Sequence, residues 1–342
     1  MRRIVIILTI SASIYPCFAG INGSVRIAAI RVSFLADDSP GTTGNGSFLL
    51  NAPIDTCGRY TIDPVPHDRS YFESQLVAVN NYYRSVSYGK FGLDLDQSIV
   101  FPFSDENSYV LPEKMDYYHP YNQTDLHDQR VTELFRDAIE TAYNDDEIDF
   151  SNYDHVVVFH AGIGQDFSLP FLDPTPEDIP STFIDGDMLQ EYVGGVLQFG
   201  TTTINQGIIL PETQNHLFYQ ESENIFFDAE EPCDYQYGLT GTFALMLGFA
   251  IGLPPLWDTN SGQSGIGIFG LMDQGSNNGR GLIPAPPDAW SRKFAGWELP
   301  LIAMPSKMIN LPSRSEDNLV QIPINETEYF LIENRTNWYR GN

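Results

Sequence analysis

Apolar residues recur at three- and four-residue steps in the segment of residues 70–91, which predicts an amphipathic helix. Ser70 is a candidate N-cap, Glu73 stands three residues later as in a capping box, and Gly89 is a candidate helix end. The side chains predicted to face the core are Leu76, Val79, Tyr83 and Val86.

A second helical pattern spans residues 124–143, and it is predicted to bury Val131, Leu134, Phe135, Ala138 and Ile139. Strand patterns cover residues 25–37, 91–103, 153–162 and 194–210. The continuous Val-Val-Val-Phe run within 153–162 is typical of a central strand that is covered on both faces. Helices and strands that alternate in this way predict an α/β or α+β fold.

The segment "TGTFALMLGFAIGLPPLWD", residues 240–258, is apolar almost all round, which predicts a buried helix over about Phe243–Ile251. A Gly-Leu-Pro exit follows, and Met272 comes later in the turn "FGLMDQGS". Zinc peptidases use such a frame to hold two histidines at i and i+4, with a glutamate beside the first, and in some versions a methionine turn lies beneath the metal.

Five segments carry a resemblance to a known family: "YFESQLVAVNNYYRSVSYGKF", "YDHVVVFHAGIGQD", "GFAIGLPPLWDTNSGQSGIGIFGLMDQGS", "PPDAWSRKFAGW" and "EYFLIENR". In their order and spacing they resemble the M6 (immune inhibitor A-like) family of secreted metallopeptidases, from about Val25 to the end of the chain. The resemblance implies a zincin-like α/β (α+β) fold with a twisted mixed sheet, long packing helices and a buried active-site-type helix. It also implies a zinc cofactor and proteolysis.

The zinc motif of that family, His-Glu-x-x-His-x-x-Gly-Leu-Pro, is degenerate in this chain. Aligned on the Gly-Leu-Pro exit, the two histidines fall at Leu245 and Phe249, the glutamate at Met246 and a third ligand at Pro255. No two of the six histidines are four residues apart, so a shifted alignment does not restore the site. The retained frame positions are Gly248, Gly252, Leu253, Pro254, Asp258 and Met272.

The apolar replacements predict a repacked site without zinc, because leucine and phenylalanine neither bind zinc nor carry a proton. The leading hypothesis is a catalytically inactive pseudopeptidase that binds a peptide, protein or surface partner. One alternative is an active secreted metallopeptidase with an atypical metal site. The other is a structural surface module stabilised by calcium, for which Asp258 and Asn260 are candidate weak ligands.

His160 ends the predicted central strand just before Gly162, and such strand ends border the cleft in folds of this kind. The side chain is therefore either a cleft residue or a hydrogen-bonded structural histidine.

The N-terminus has the pattern of a secretory signal peptide over residues 1–19, with two arginines, an apolar run and small residues at Cys17 and Ala19. It predicts a secreted, cell-surface or periplasmic protein. Cys57 and Cys233 then remain, and they form either one disulfide or two separate buried thiols. Residues 20–300 are predicted to form the M6-like domain, and residues 301–342 the start of a C-terminal β subdomain that is either truncated or naturally short.

The composition of the 342 residues limits the partners further, because 45 acidic residues stand against 18 basic ones and the net charge is −27. This charge disfavours nucleic acid and anionic membranes as partners. Beyond the signal peptide, no segment reaches the ~18 apolar residues of a membrane span.

Overall fold

The protein is described from a computed structural model, which covers residues 20–51, 61–167, 175–216, 236–312 and 319–335. The strands are β1 (Gly23–Val25), β2 (Ile27–Ser33), β3 (Phe91–Leu93), β4 (Ile99–Phe101), β5 (Tyr109–Val110), β6 (His155–Ile163), β7 (Thr182–Ile184), β8 (Leu197–Phe199), β9 (Thr202–Ile204), β10 (Gly207–Thr213), β11 (Leu301–Ile302), β12 (Leu319–Pro323) and β13 (Tyr329–Glu333). The helices are α1 (Arg69–Val86), α2 (Met115–Tyr118), α3 (His127–Asp146), α4 (Gly186–Tyr192), α5 (Leu239–Ala250) and α6 (Ala289–Phe294). Short 3-10 turns lie at Thr124–Leu126, Phe150–Asn152, Gln165–Phe167, Gly267–Phe269 and Gln274–Asn277.

A mixed sheet forms the centre of the molecule, in the strand order β4-β2-β6-β10-β7 with β5 also paired to β2. The pairs β4–β2, β5–β2, β2–β6 and β6–β10 are parallel, whereas β7 runs antiparallel to β10 with Phe183 opposite Ile208. All of β6 after His155 is buried, as its continuous apolar run predicts. The prediction of a mixed α/β fold is therefore confirmed.

The helix α1 begins one residue earlier than its predicted cap, Ser70. Asp68 is the actual N-cap, and its carboxylate accepts a hydrogen bond from the Tyr71 N–H at 3.1 Å. The helix ends at Val86, before Gly89, which has a φ of +78° in the turn that follows. The predicted second helix is present as a 3-10 turn followed by α3, which extends to Asp146.

The helix α5 packs against α1 and β10, and the Tyr83 hydroxyl donates a hydrogen bond to the Ala244 carbonyl at 2.6 Å. It begins at Leu239, four residues before the predicted start. Gly238 precedes it and has no side chain to act as a cap, so the Leu239 N–H donates instead to the distant carboxylate of Asp63 at 2.9 Å. None of the helices in the described part of the chain combines the length and apolarity needed to span a membrane.

Near the C-terminus, within the range predicted to begin a β subdomain, β12 and β13 form a three-stranded sheet with β11. Arg292 of α6 links this sheet to the rest of the molecule, because its guanidinium lies 2.8 Å from Glu298 and 2.7 Å from Glu333. Arg292 is almost fully buried, so the two carboxylates supply the partners that a buried cation requires.

Candidate functional site

Two would-be zinc-ligand positions, Leu245 and Phe249, lie one turn apart on α5 and are both partly exposed. The ring of Phe249 lies between two aromatic rings, with centroid distances of 5.9 Å to Phe183 and 5.5 Å to Trp257. Phe183 belongs to β7, and Trp257 belongs to the segment that leaves α5. These four side chains, Phe183, Leu245, Phe249 and Trp257, are called the α5–β7 face below.

The strand β7 borders this face and is an edge strand among the described strands, since β10 is its one neighbour in the sheet. Its side chains alternate, so Phe183 points towards α5 while Ile184 is fully buried. An edge strand presents backbone N–H and C=O groups that can pair with another extended chain. The face therefore combines an apolar surface with a backbone edge.

The residues on this part of α5 do not fit a zinc ion. Leu245 and Phe249 have no donor atom, and Met246 offers only a thioether, which is a soft and weak ligand, on a side chain that is 9% exposed. Pro255, at the expected third-ligand position, has no donor side chain either. Across the described residues there is also no group of three or more His, Cys, Asp or Glu side chains arranged to hold a metal ion.

The exit from α5 depends on Gly252, whose φ of +93° is strained for any residue with a β-carbon. The Gly252 N–H donates to the Phe249 carbonyl at 2.9 Å, and the Leu253 N–H donates to the Gly248 carbonyl at 2.8 Å. Leu253 turns into the core, whereas Pro254 is partly exposed and Pro255 is exposed. This turn directs the chain towards Trp257, so it positions one wall of the α5–β7 face.

Met272 lies buried beneath α5, at the place where the methionine turn is predicted. A β-carbon added to Gly248 would lie 2.7 Å from the Met272 sulfur, so the close approach requires a glycine. The Leu256 N–H donates to the Met272 carbonyl at 2.8 Å, which ties the exit segment to this turn.

Asp273, which the sequence patterns did not single out, organises the loop beside this exit. Its carboxylate accepts hydrogen bonds of 2.8–2.9 Å from Ser264 Oγ and from the N–H groups of Gly265, Ile266, Gly267 and Gln274. Burial raises the pKa of Asp273, but these hydrogen bonds outweigh it and hold the pKa below its usual value. The glycine-rich run "SGIG" before an aspartate is the signal that could have indicated this arrangement.

The candidate calcium ligands, Asp258 and Asn260, lie in an exposed turn. The Asp258 carboxylate accepts hydrogen bonds from the Asn260 N–H at 2.9 Å and the Ser261 N–H at 3.3 Å, which lower its pKa. This is the geometry of an ordinary Asx turn. Calcium binding here stays a prediction.

His160 lies in the core and not on the α5–β7 face. The side chain is fully buried, its ring packs 6.0 Å from the ring of Phe34, and Nδ1 donates to the Ala161 carbonyl at 2.9 Å. Burial lowers its pKa to about 4, so the imidazole is neutral at pH 7. Of the two alternatives that the sequence left open for His160, the structure therefore agrees with a hydrogen-bonded structural histidine and not with a cleft residue.

A group of ionisable side chains that the sequence patterns did not indicate lies buried near the start of α5. His67 Nδ1 is 2.9 Å from a Glu212 carboxylate oxygen, and His67 Nε2 is 2.9 Å from the Asp63 carbonyl oxygen. A carbonyl only accepts, so Nε2 carries a proton, and a second proton lies between Nδ1 and Glu212. Asp63, His67 and Glu212 are called the buried ionic cluster below.

The cluster joins several parts of the fold. Glu212 is the second-last residue of β10 and accepts hydrogen bonds from the N–H groups of Gly162 at 2.8 Å and Leu49 at 2.9 Å, while Asp63 accepts from the Leu239 N–H. Burial lowers the pKa of His67, but the hydrogen bond and charge of Glu212 outweigh it, so the net shift is upward. Burial raises the pKa of Asp63.

Comparison of the chain with protein-family models and with curated proteins gives no match. The predicted disulfide cysteines, Cys57 and Cys233, and the predicted signal peptide lie outside the described residues.

Proposed function

We propose that this chain is an exported pseudopeptidase of the zincin-like M6 type that binds an extended peptide or protein segment without cleaving it. Four features support the zincin-like frame: the antiparallel edge strand β7, the helix α5, the glycine exit at Gly252 and Met272 beneath the helix. The helix α5, the glycine exit and Met272 follow one another along the chain in the order that the M6 resemblance implies.

The observation that carries the proposal is the composition of the α5–β7 face. The positions that hold zinc ligands in the resembled family carry Leu245 and Phe249, and these side chains join Phe183 and Trp257 in one apolar surface. Aliphatic and aromatic side chains neither coordinate zinc nor transfer a proton, so a hydrolytic step has no machinery at this place. They do provide contact area for a bound apolar side chain.

The mode of binding follows from the edge strand. A segment that pairs with the backbone of β7 alternates its side chains, so every second one points to the same side as Phe183. One such apolar side chain can then contact Phe249 and Trp257. The backbone pairing gives affinity, and the aromatic contact gives preference for an apolar residue.

The first experiment is zinc stoichiometry of the purified chain by elemental analysis after zinc loading and desalting, together with a cleavage assay on a peptide mixture. We expect close to no zinc per chain and intact peptides. About one zinc per chain, with cleavage that a chelator abolishes, would show an active metallopeptidase and contradict the proposal.

Binding is tested with fluorescently labelled extended peptides and two matched variants. Phe183→Ser removes an aromatic ring from the α5–β7 face, and we expect at least a fivefold loss of affinity, or about 1 kcal/mol. Phe103→Ser removes a ring that is 62% exposed and follows β4 at the opposite edge of the sheet, so affinity should not change. Equal losses in both variants would mean that the peptide binds elsewhere.

A further inference from the structure

The acidic residues of the chain are not evenly distributed. Residues 137–279 contain 23 of the 45 acidic residues and none of the 18 lysines and arginines. The other 199 residues carry 22 acidic and 18 basic side chains and are close to neutral. The net charge of −27 is therefore concentrated in one continuous part of the sequence.

This acidic part of the chain builds both walls of the α5–β7 face, because it includes β6, β7, β10, α5 and Trp257. Four exposed carboxylates stand next to the face along the chain. Asp185 directly follows β7, Asp187 and Glu191 lie on α4, and Asp258 directly follows Trp257. In the described residues, none of the four pairs with a lysine or arginine.

Asp187 and Glu191 lie on α4, which packs against α3, so the carboxylates that directly adjoin the walls of the face along the chain are Asp185 and Asp258. Unpaired carboxylates of one sign beside an apolar surface favour a cationic partner. They raise the local concentration of positive charge and repel a negative segment, and both effects weaken as salt increases. A second copy of the chain would bring the same excess of negative charge to this surface, so the charge disfavours self-association here.

We infer that the segment held on the α5–β7 face is an extended cationic peptide, with an apolar residue for Phe249 and Trp257 and with lysine or arginine on its flanks. This inference rests on the proposed peptide-binding function and adds the chemistry of the partner. The apolar residue supplies contact with the aromatic rings, and the flanking cations are attracted by Asp185 and Asp258, which directly follow β7 and Trp257.

The test uses the purified chain and three labelled peptides that share a Phe-Leu-Phe centre and differ in having three lysines, three glutamines or three glutamates on each side. Anisotropy titrations are made at low and at moderate salt. We expect the lysine peptide to bind about tenfold more tightly than the glutamine peptide at low salt, and the glutamate peptide to bind most weakly. The advantage of the lysine peptide should shrink as salt is added.

Charge variants locate the effect. The double variant Asp185→Asn with Asp258→Asn should reduce affinity for the lysine peptide about fivefold and leave the glutamine peptide unchanged, and asparagine at position 185 keeps a side chain that can cap α4. The control pair, Asp96→Asn with Glu106→Gln, removes two exposed charges outside the acidic part of the chain and should leave both affinities unchanged. A control pair that weakens the lysine peptide as much would overturn the placement of the cations beside the α5–β7 face.

The remaining outcomes separate this inference from the proposed function. If all three peptides bind equally and salt has no effect, the cationic preference is wrong while peptide binding stands. If the glutamine peptide binds and Phe183→Ser weakens it, the face is the binding site whatever the charge result. If none of the three peptides binds, both the inference and the peptide-binding function fail.

Discussion

The two ends of α5 lie in opposite surroundings. At its start the Leu239 N–H bonds to Asp63 of the buried ionic cluster, whereas further along Leu245 and Phe249 lie on the partly exposed, apolar α5–β7 face. The buried carboxylate of Asp63 therefore lies where hydrogen bonds satisfy it, and it fixes the start of the helix. At the positions that correspond to zinc ligands in the resembled family, the chain has apolar side chains, which need no hydrogen-bond partners.

The largest predicted loss of stability comes from a substitution in the buried ionic cluster. Glu212→Gln leaves a buried His67 without its carboxylate, and we expect a loss of about 3–5 kcal/mol in the free energy of unfolding. Urea denaturation at pH 6 measures it. Glu106→Gln, at an exposed position, is the matched control and should change stability by less than about 0.5 kcal/mol. Similar stabilities for the two variants would show that the cluster is unimportant for folding.

The second prediction compares two phenylalanines of α5. Phe243 is fully buried and contacts Phe159, whereas Phe249 is partly exposed. Phe243→Ala should cost about 3–5 kcal/mol, and Phe249→Ala no more than about half of that, because its ring already contacts water. Thermal and urea unfolding of both variants provide the comparison. Equal losses would mean that the α5–β7 face is as much part of the core as the inner side of the helix.

The third prediction concerns the packing of Met272 beneath α5. Gly248→Ala places a methyl group against the Met272 sulfur and the Tyr83 hydroxyl, so we expect a loss of about 1–3 kcal/mol despite the higher helix propensity of alanine. The control is Gly186→Ala at the start of α4, where the nearest atom to the added β-carbon is 3.5 Å away. That variant should be neutral or slightly stabilised, and urea denaturation distinguishes the two.

The smallest effect expected is a pH dependence of stability. The folded-state pKa of His67 is raised, so its contribution is fully present below the unfolded pKa of about 6.5 and is lost as pH rises through the folded pKa. As pH rises from the unfolded pKa of His67 to its folded pKa, the free energy of unfolding of the wild type should fall. The fall should be about 1.4 kcal/mol for each unit by which the folded pKa exceeds the unfolded one. The raised pKa of Asp63 acts in the same direction at lower pH.

Glu212→Gln serves as the reference for that measurement, since it removes the partner that raises the pKa of His67. The free energy of unfolding is compared between pH 6 and pH 9 in both proteins. A slope as steep in the variant as in the wild type would show that other groups cause the pH dependence.

The sequence indicated most of the secondary structure because the signals involved are local. The three- and four-residue steps identified α1 and α3, and the Val-Val-Val-Phe run identified β6 as a covered strand. The local sequence did not determine the N-cap of α1, since Asp68 and Ser70 are both good N-cap residues and the structure uses Asp68. The absence of histidine and glutamate at positions 245, 246 and 249 is also read directly from the sequence.

Only the tertiary structure decided which side of α5 meets water and where the ionisable groups lie. A helix that is apolar all round has no pattern to distinguish Phe249 from Phe243, so the placement of β7 and Trp257 determines it. Likewise, His67 and Glu212 are 145 residues apart, and they meet because the sheet brings the end of β10 against the segment before α1. Periodicity describes neighbours along the chain, whereas such contacts depend on the order in which distant strands pair.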